Sequence, residues 1–345
     1  MLERARKGIS SPPNLTSMGL LRQLAGNRLT QTNEELCGIT TQTPAGKHTQ
    51  SMPSRHTRWR RELKRLRYTA VAPLLLAPIR LLRATRYYAP KLRQVMVWLY
   101  KSREEGNYTF AITELNQIYL AHTLSIVSGC SYEKVFQYLR EPLEDLALQH
   151  HVLEYTRRKP YRYYSDARCD FGRRIGWYAM ARLMKPKMIV ETGVDKGLGA
   201  VLLCSALLRN EREGFPGRYY GTDIDPHAGY LLAPPYDSVG QILFGDSIES
   251  LKRLNAVDLF IHDSDYSSGY ERFEYQLIAS KLTRRAIILG NKAHSSGELA
   301  LFSQSHGRQF LFFREEPEDH WYPGAGIGIS FPPQANHGAG SDIRD

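Results

Sequence analysis

From residue 187 onward, short apolar runs alternate with longer segments whose apolar residues recur every three or four positions. The runs 187–192, 217–223, 240–244, 257–262, 284–290, 308–314 and 325–331 predict strands. The segments 197–209, 246–254, 268–281 and 295–304 predict helices between them. Strands separated by helices form a mainly parallel sheet covered on both faces. Only the loop Glu315–Ala325 separates the last two strands, which predicts a hairpin and an antiparallel final strand. Ligands of such open sheets sit at the carboxyl ends of the strands, near the switch point.

The chain before this region is patterned differently. In residues 107–156, Ile112, Leu115, Ile118, Tyr119 and His122 fall at helical spacing. Ser131, followed by Glu133 and Lys134, predicts the start of a further helix. Residues 58–67 (RWRRELKRLR) are basic and helical in propensity, and a solvated helix face is expected. The segment Tyr68–Tyr100 sets Leu74, Leu75, Leu76, Ile79, Leu81 and Leu82 beside Arg80, Arg83 and Arg86. A membrane surface is one destination for it, but packing on its own domain or on a partner subunit is expected. Residues 157–164 (RRKPYRYY) interleave basic and aromatic side chains, which can stack on bases. A loop over a pocket mouth, or internal packing, is the expectation there. Residues 1–57 are polar and predict a disordered tail. The organisation predicted is a tail at 1–57, a helical region at 58–165, an α/β domain at 166–335 and a flexible end at 336–345.

Charge sharpens this division. Residues 1–100 hold 18 Lys or Arg against four Asp or Glu, whereas the remainder holds 28 against 31. The net charge of +11 therefore belongs to the N-terminal part, and an anionic partner would engage that part, not the α/β domain. Cys37, Cys130, Cys169 and Cys204 have no paired spacing, which argues against a disulfide framework or a zinc site and for a reducing compartment. No secretory signal is visible, and the apolar run Val71–Leu82 is broken by Pro73, Pro78 and Arg80. A cytoplasmic protein is expected.

The chemistry-bearing residues follow the predicted strands. In KMIVETGVDKGLG (187–199) an apolar strand leads through Glu191, Gly193, Gly197 and Gly199 into a helix. Glycines in such a turn let the backbone approach a nucleotide-like ligand. The spacing is E-x-G-x-x-x-G and differs from the dinucleotide pattern G-x-G-x-x-G. Asp223 ends the second strand, where an acid can accept hydrogen bonds from ribose hydroxyls; Asp225 is expected to cap the next helix. Asp246 and Ser247 follow the third strand, with Asp246 also at a helix N-cap position. The fourth strand runs into His262-Asp263-Ser264-Asp265-Tyr266, whose two acids suit a metal or a base. The fifth ends in Asn291-Lys292-Ala293-His294. An amide is a weak metal ligand and an adjacent ammonium repels a cation, so Lys292 or His294 as acid or base is the alternative. His320, Trp321 and Tyr322 in the last loop form either a substrate wall or a packing hairpin.

The glycine run with Asp223 and Asp246 resembles the cofactor motifs of class I S-adenosylmethionine (SAM) methyltransferases. The run Phe260–Tyr266 resembles the F-I-D-G-D-H-x-x-Y motif of small-molecule O-methyltransferases of the catechol-type and cephalosporin-hydroxylase-like groups. The resemblance covers residues from about 170 to 332. It implies a Rossmann-like seven-stranded sheet with an antiparallel last strand and a helical N-terminal extension. It implies SAM held by Glu191, Gly193, Gly197 and Asp223, with Asp246 and Ser247 at the adenine edge. Asp263, Asp265, Lys292 and His294 would serve catalysis, with Mg²⁺ on Asp263 and Asn291 as an option. The chain departs from the pattern at Asp195, where many members have Gly, at Tyr266, where His is usual, and at Asn291-Lys292, where an acid is usual. The implied activity is O-methylation of a small hydroxylated metabolite. Alternatives are nucleic-acid methylation through the basic N-terminus and a catalytically silent binding protein. The expected partners are a small-molecule acceptor and a second copy joined through the N-terminal helices, with nucleic acid or a membrane surface behind these.

Overall fold

The apolar runs from residue 188 onward pair into one seven-stranded sheet in the computed structural model, which describes residues 68–106, 109–158, 160–163 and 165–333. The expectations for residues 1–57, 58–67 and 336–345 lie outside the described residues. Four helices come first: α1 (Ala72–Lys101), α2 (Glu114–Ser128), α3 (Tyr132–Glu144) and α4 (Leu146–Arg157). Helix α5 (Arg174–Met184) leads into β1 (Met188–Thr192), α6 (Leu198–Arg212), β2 (Arg218–Asp223) and β3 (Gly240–Phe244). Then follow α7 (Ser247–Lys252), β4 (Val257–His262), α8 (Ser268–Ala279), β5 (Leu282–Asn291), α9 (Glu298–Ser305), β6 (Gln309–Phe313) and β7 (Ile327–Phe331). Each predicted strand and helix of the α/β part is present within a few residues.

The strand order is β3-β2-β1-β4-β5-β7-β6. Strands β1 to β5 run parallel, and β7 inserts antiparallel between β5 and β6, with Gly290 opposite Gly328. The order reverses direction between β1 and β4, which leaves a crevice over their carboxyl ends. On one face, β1, β4 and β5 contribute Ile189, Leu259, Ile261, Ile287 and Leu289 to a core with α5 and α6. On the other, Val190, Phe260 and Ile288 meet Tyr275, Ile278, Leu299 and Phe302 of α8 and α9. The alternation along each strand sends neighbouring residues to opposite layers.

The helical region before the sheet shares the first of these cores. Leu120, Leu124, Val135, Leu139 and Leu148 pack with Trp177, Tyr178 and Met180 of α5. In α2 the buried face is Asn116, Leu120, Ala121, Leu124 and Val127, whereas Leu115 and Tyr119 are exposed. It lies one residue round from the predicted spacing. The helix has apolar residues on most of its circumference, so only its neighbours select the buried side. Asn116 is buried because its amide donates to the Arg314 carbonyl (3.0 Å) and accepts from the Glu316 amide (2.9 Å). Ser131 caps α3 as predicted, accepting from the Lys134 amide. Asp225 accepts from the His227 amide (2.9 Å), but a turn follows it and no helix starts there, which corrects that expectation.

Two N-terminal expectations are resolved differently. Tyr161 stacks on Tyr230 with ring centroids 3.8 Å apart and so packs internally, whereas Arg157, Arg158, Arg162 and Tyr163 of the same segment are exposed. In α1, every residue from 77 to 93 is exposed, which corrects the expectation that it packs along its own domain. Among the described residues its C-terminal end is fastened to the α/β domain: Lys91 Nζ donates to the His320 carbonyl (3.0 Å) and Trp98 meets Trp321. Among the described residues no helix is long and apolar enough to cross a membrane.

Candidate active site

Strand β1 must hand over to α6 within a few residues, and three of them have left-handed backbone: Gly193 (φ 79°), Asp195 (φ 48°) and Gly197 (φ 92°). A Cβ on Gly193 would lie 2.3 Å from the Asp263 carbonyl oxygen, so only glycine lets the end of β1 lie against the segment after β4. Asp195 occupies the position where the resemblance expects glycine. Aspartate enters the left-handed region more readily than most residues, so the turn survives the change.

Asp223, at the end of β2, fastens this turn. Its Oδ2 accepts from the Val194 amide (2.9 Å) and the Asp195 amide (2.8 Å), and its Oδ1 accepts from the Asp225 amide (2.9 Å). Asp246 caps α7 by accepting from the Ile248 amide (2.7 Å), and its Oδ1 also accepts from the Tyr270 hydroxyl (3.2 Å). The Ser247 hydroxyl donates to Glu274 and is hydrogen-bonded to the Tyr270 hydroxyl at 2.7 Å. Between these residues and the ends of β4 and β5 lies a cavity of about 740 Å³, within the range of small-molecule sites. Gly193, Asp223, Asp246 and Ser247 line one end; Asp263, Asp265, Tyr266, Asn291 and Lys292 line the other, with Tyr322 and the Arg173-Arg174 pair beside them.

Three sequence-predicted residues lie outside the lining. Gly197 starts α6 below it, and His294 is exposed beyond it. Glu191 is 1% exposed beneath the turn, where it accepts from the Tyr219 hydroxyl (2.6 Å) and packs under Gly199. Burial pushes its carboxyl up to about 8, against the opposing Tyr219 hydrogen bond and with help from the charges of Asp263 and Asp223. The folded protein therefore binds a proton here that the unfolded chain releases near 4.5. The associated stability is present at acid pH and falls as pH rises through the folded value. Glu191→Gln is expected to flatten this fall by up to a few kcal/mol, read by urea unfolding between about pH 5 and about pH 9. An unchanged slope in the variant would place the titration elsewhere.

At the acceptor end, Asp263 Oδ1 accepts from the Tyr266 hydroxyl and from the Asn291 amide, and Oδ2 faces Arg174 Nη2 at 3.7 Å. Arg173 Nε donates to the Asn291 amide oxygen, and its Nη1 donates to Glu315 Oε1 at 2.8 Å. Lys292 has φ 55° and holds its ammonium 4.1 Å from the centre of the Tyr266 ring. Burial lowers the Lys292 pKa, partly opposed by Asp263. Burial and then the Asp263 carboxylate raise that of Tyr266, which keeps its proton. Asp265 is exposed at the rim and accepts from the Ser267 amide.

This set does not fit a divalent cation. The Asn291 oxygen is taken by Arg173, and its NH₂ points at Asp263 and Tyr266. Arg173, Arg174 and Lys292 crowd the one remaining carboxylate with positive charge. Among the described residues no group of three His, Cys, Asp or Glu could hold a metal ion. Hard cations require several free oxygens, and Asp263 with Asn291 does not supply them.

Sequence reasoning missed Arg173, Arg174, Tyr270 and a buried pair behind the cavity. His262 Nδ1 lies 2.7 Å from Glu274 Oε2, and both side chains are fully buried. Glu274 also accepts from Thr192 (2.8 Å) and Ser264 (2.9 Å), which ties the ends of β1 and β4 to α8. The local signals were His262 at the end of the apolar run of β4 and Glu274 between Phe273 and Tyr275 of α8.

The model of a family described as a methyltransferase domain matches residues 190–292, which contain the glycine turn, Asp223, Asp246 and the segment from Asp263 to Lys292. No curated protein matches the sequence. Among solved structures, a methyltransferase from Geobacter sulfurreducens is similar with a TM-score of 0.41 and 16% identity, over 58% of this chain and 98% of that one. An SAH-bound methyltransferase from Podospora anserina gives 0.38 and 18%, over 59% and 95%. With a seven-stranded sheet of the class I order, a glycine turn at its switch point and a matching family model, residues 190–292 are a methyltransferase domain.

Proposed function

We propose that the protein uses SAM to methylate a hydroxyl group of a small metabolite, without a divalent metal. One observation carries this reading. A single cavity joins a glycine turn fastened by Asp223 to the cluster Asp263, Tyr266 and Lys292. Asp223 would face the ribose, Asp246 the adenine edge, and Arg174 suits the carboxylate of the cofactor's amino-acid tail. Bound SAM supplies an electrophilic methyl group. The protein's part is to align the acceptor hydroxyl and accept its proton. Lys292 is the base, because it lines the cavity beside Asp263 and Tyr266, and burial lowers its pKa. Tyr266, protonated, and Arg174 hold Asp263 in place beside it.

Calorimetric titration with S-adenosylhomocysteine tests the reading. Saturable binding is expected, indifferent to Mg²⁺ or EDTA. Asp223→Ala removes a carboxylate that holds two turn amides, and should weaken binding by roughly ten- to a hundredfold. Absence of saturable binding would sink the proposal, whereas unchanged affinity in the variant would remove only the ribose role. A requirement for Mg²⁺ would restore the metal. Salt-sensitive RNA binding that disappears on deleting residues 1–67 would replace the small acceptor with a nucleic acid.

A further inference from the structure

Helix α1 is left largely bare by the domain that carries it. Leu81, Leu82, Tyr88, Leu92, Met96 and Leu99 are each between 45% and 70% exposed. At 3.6 residues per turn these six fall within an arc of about 120°. Arg80, Arg83, Arg86, Lys91, Arg93 and Lys101 occupy the opposite side of the same helix, over an arc of about 160°. No Asp or Glu occurs anywhere in Ala72–Lys101. Of the cations, Lys91 is engaged with the His320 carbonyl. One side is thus apolar, while the other carries the cations, interspersed with exposed Leu75, Ile79, Tyr87 and Val97, and no acids; a continuous apolar stripe beside an acid-free cationic side is the pattern of a helix lying in the plane of a bilayer interface.

We propose that α1 docks the protein on a membrane surface carrying anionic headgroups. The charge decides between this occupant and a second copy of the chain. Two α1 helices paired through the apolar stripe would bring Arg86 and Arg93, which flank it, towards like charges, with no carboxylate on either helix to answer them. Anionic lipid headgroups supply the missing negative charge, while the apolar stripe enters the acyl boundary. The charges interrupt the apolar sequence often enough that the helix lies on the bilayer and does not cross it. Its fastened end lies beside the active site: Trp98 packs on Trp321, and the next residue, Tyr322, lines the cavity. Docking through α1 therefore sets the rim of the cavity near the lipid surface.

The test is flotation of the full chain with vesicles of phosphatidylcholine alone and of phosphatidylcholine mixed with phosphatidylglycerol. Binding is expected to the mixed vesicles and to fall with salt, since the headgroup attraction is screened. The triple variant Leu81→Glu, Leu82→Glu, Leu92→Glu changes only exposed positions. It should lower the bound fraction at least roughly tenfold while circular dichroism and S-adenosylhomocysteine binding stay unchanged. Replacing Arg80, Arg83 and Arg86 by Gln should weaken partitioning by about fivefold per cation near the surface. Failure of the wild type to float with anionic vesicles would overturn the proposal. So would flotation untouched by the triple variant, which would assign binding to another part of the chain. A dimer in light scattering that the triple variant abolishes, without vesicle binding, would assign the helix to a second copy.

Discussion

Lys292→Met is expected to lower turnover by about two to four orders of magnitude while S-adenosylhomocysteine still binds, because the substitution removes the proton acceptor and leaves the cofactor end intact. The side chain sits at the end of β5 with left-handed backbone, a conformation that non-glycine residues adopt rarely and that clusters at functional sites. Burial is the largest influence on its ammonium and lowers the pKa; the charges of Arg173 and Arg174 act the same way, and Asp263 and Glu315 oppose them. The sign fixes the pH profile. A base must be neutral, so kcat/KM should rise with pH as Lys292 loses its proton, with a midpoint below that of an ordinary lysine. Lys292→Arg preserves the charge but has no accessible neutral form, and should lose the rising limb. Stability separates this from unfolding. A lysine whose folded pKa is lowered detracts from stability at low pH, so the Met variant should melt no earlier than the wild type there. Turnover within about tenfold of wild type, or an unchanged profile in the Arg variant, would move the base elsewhere.

Arg173→Met should have the largest effect on stability. Arg173 and Glu315 form a buried ion pair at 2.8 Å, with side chains 5% and 0% exposed. Glu315 also accepts from the Ala325 amide (2.8 Å), which fixes the turn into β7. Removing the guanidinium strands a carboxylate in the interior and takes a donor from Asn291. Breaking such a pair from one side costs about 3–5 kcal/mol. For a domain of this size that lowers Tm by on the order of 10 °C. Adding Glu315→Gln removes the stranded charge but keeps an acceptor for Ala325, and should recover most of the loss. The comparison of single and double variants by differential scanning calorimetry is decisive. A single variant within about 2 °C of wild type would show that the pair is solvated in solution.

Much of the α/β part is legible in the chain itself. Runs such as Met188-Ile189-Val190 and Ile287-Ile288-Leu289 are apolar on both faces, and only a covered parallel strand buries both. The hairpin between β6 and β7 follows from the absence of a helical segment between two apolar runs. The positive φ of Gly193 is equally local, whereas the Asp263 carbonyl that leaves no room for a Cβ there comes from the fold. The face of α2 was not legible, since apolar residues on several sides leave the choice to its neighbours. The resemblance left Mg²⁺ on Asp263 and Asn291 as an option, which the amide of Asn291 and the neighbouring Lys292 already weakened. The arginine that takes up the Asn291 oxygen lies 118 residues away, and no local spacing announces it.

By itself, then, the sequence determined what depends on near neighbours: strand and helix alternation, the glycine turn, the acids at strand ends and the concentration of positive charge before residue 100. Tertiary structure decided what depends on distant partners. It placed Glu191 under the turn, set Asp223 to fasten it, closed the Asp263 cluster to metal with Arg173 and Arg174, and left α1 uncovered. Backbone sterics and periodicity act over a few residues, but burial, pairing and exposure are set by whatever the fold brings alongside.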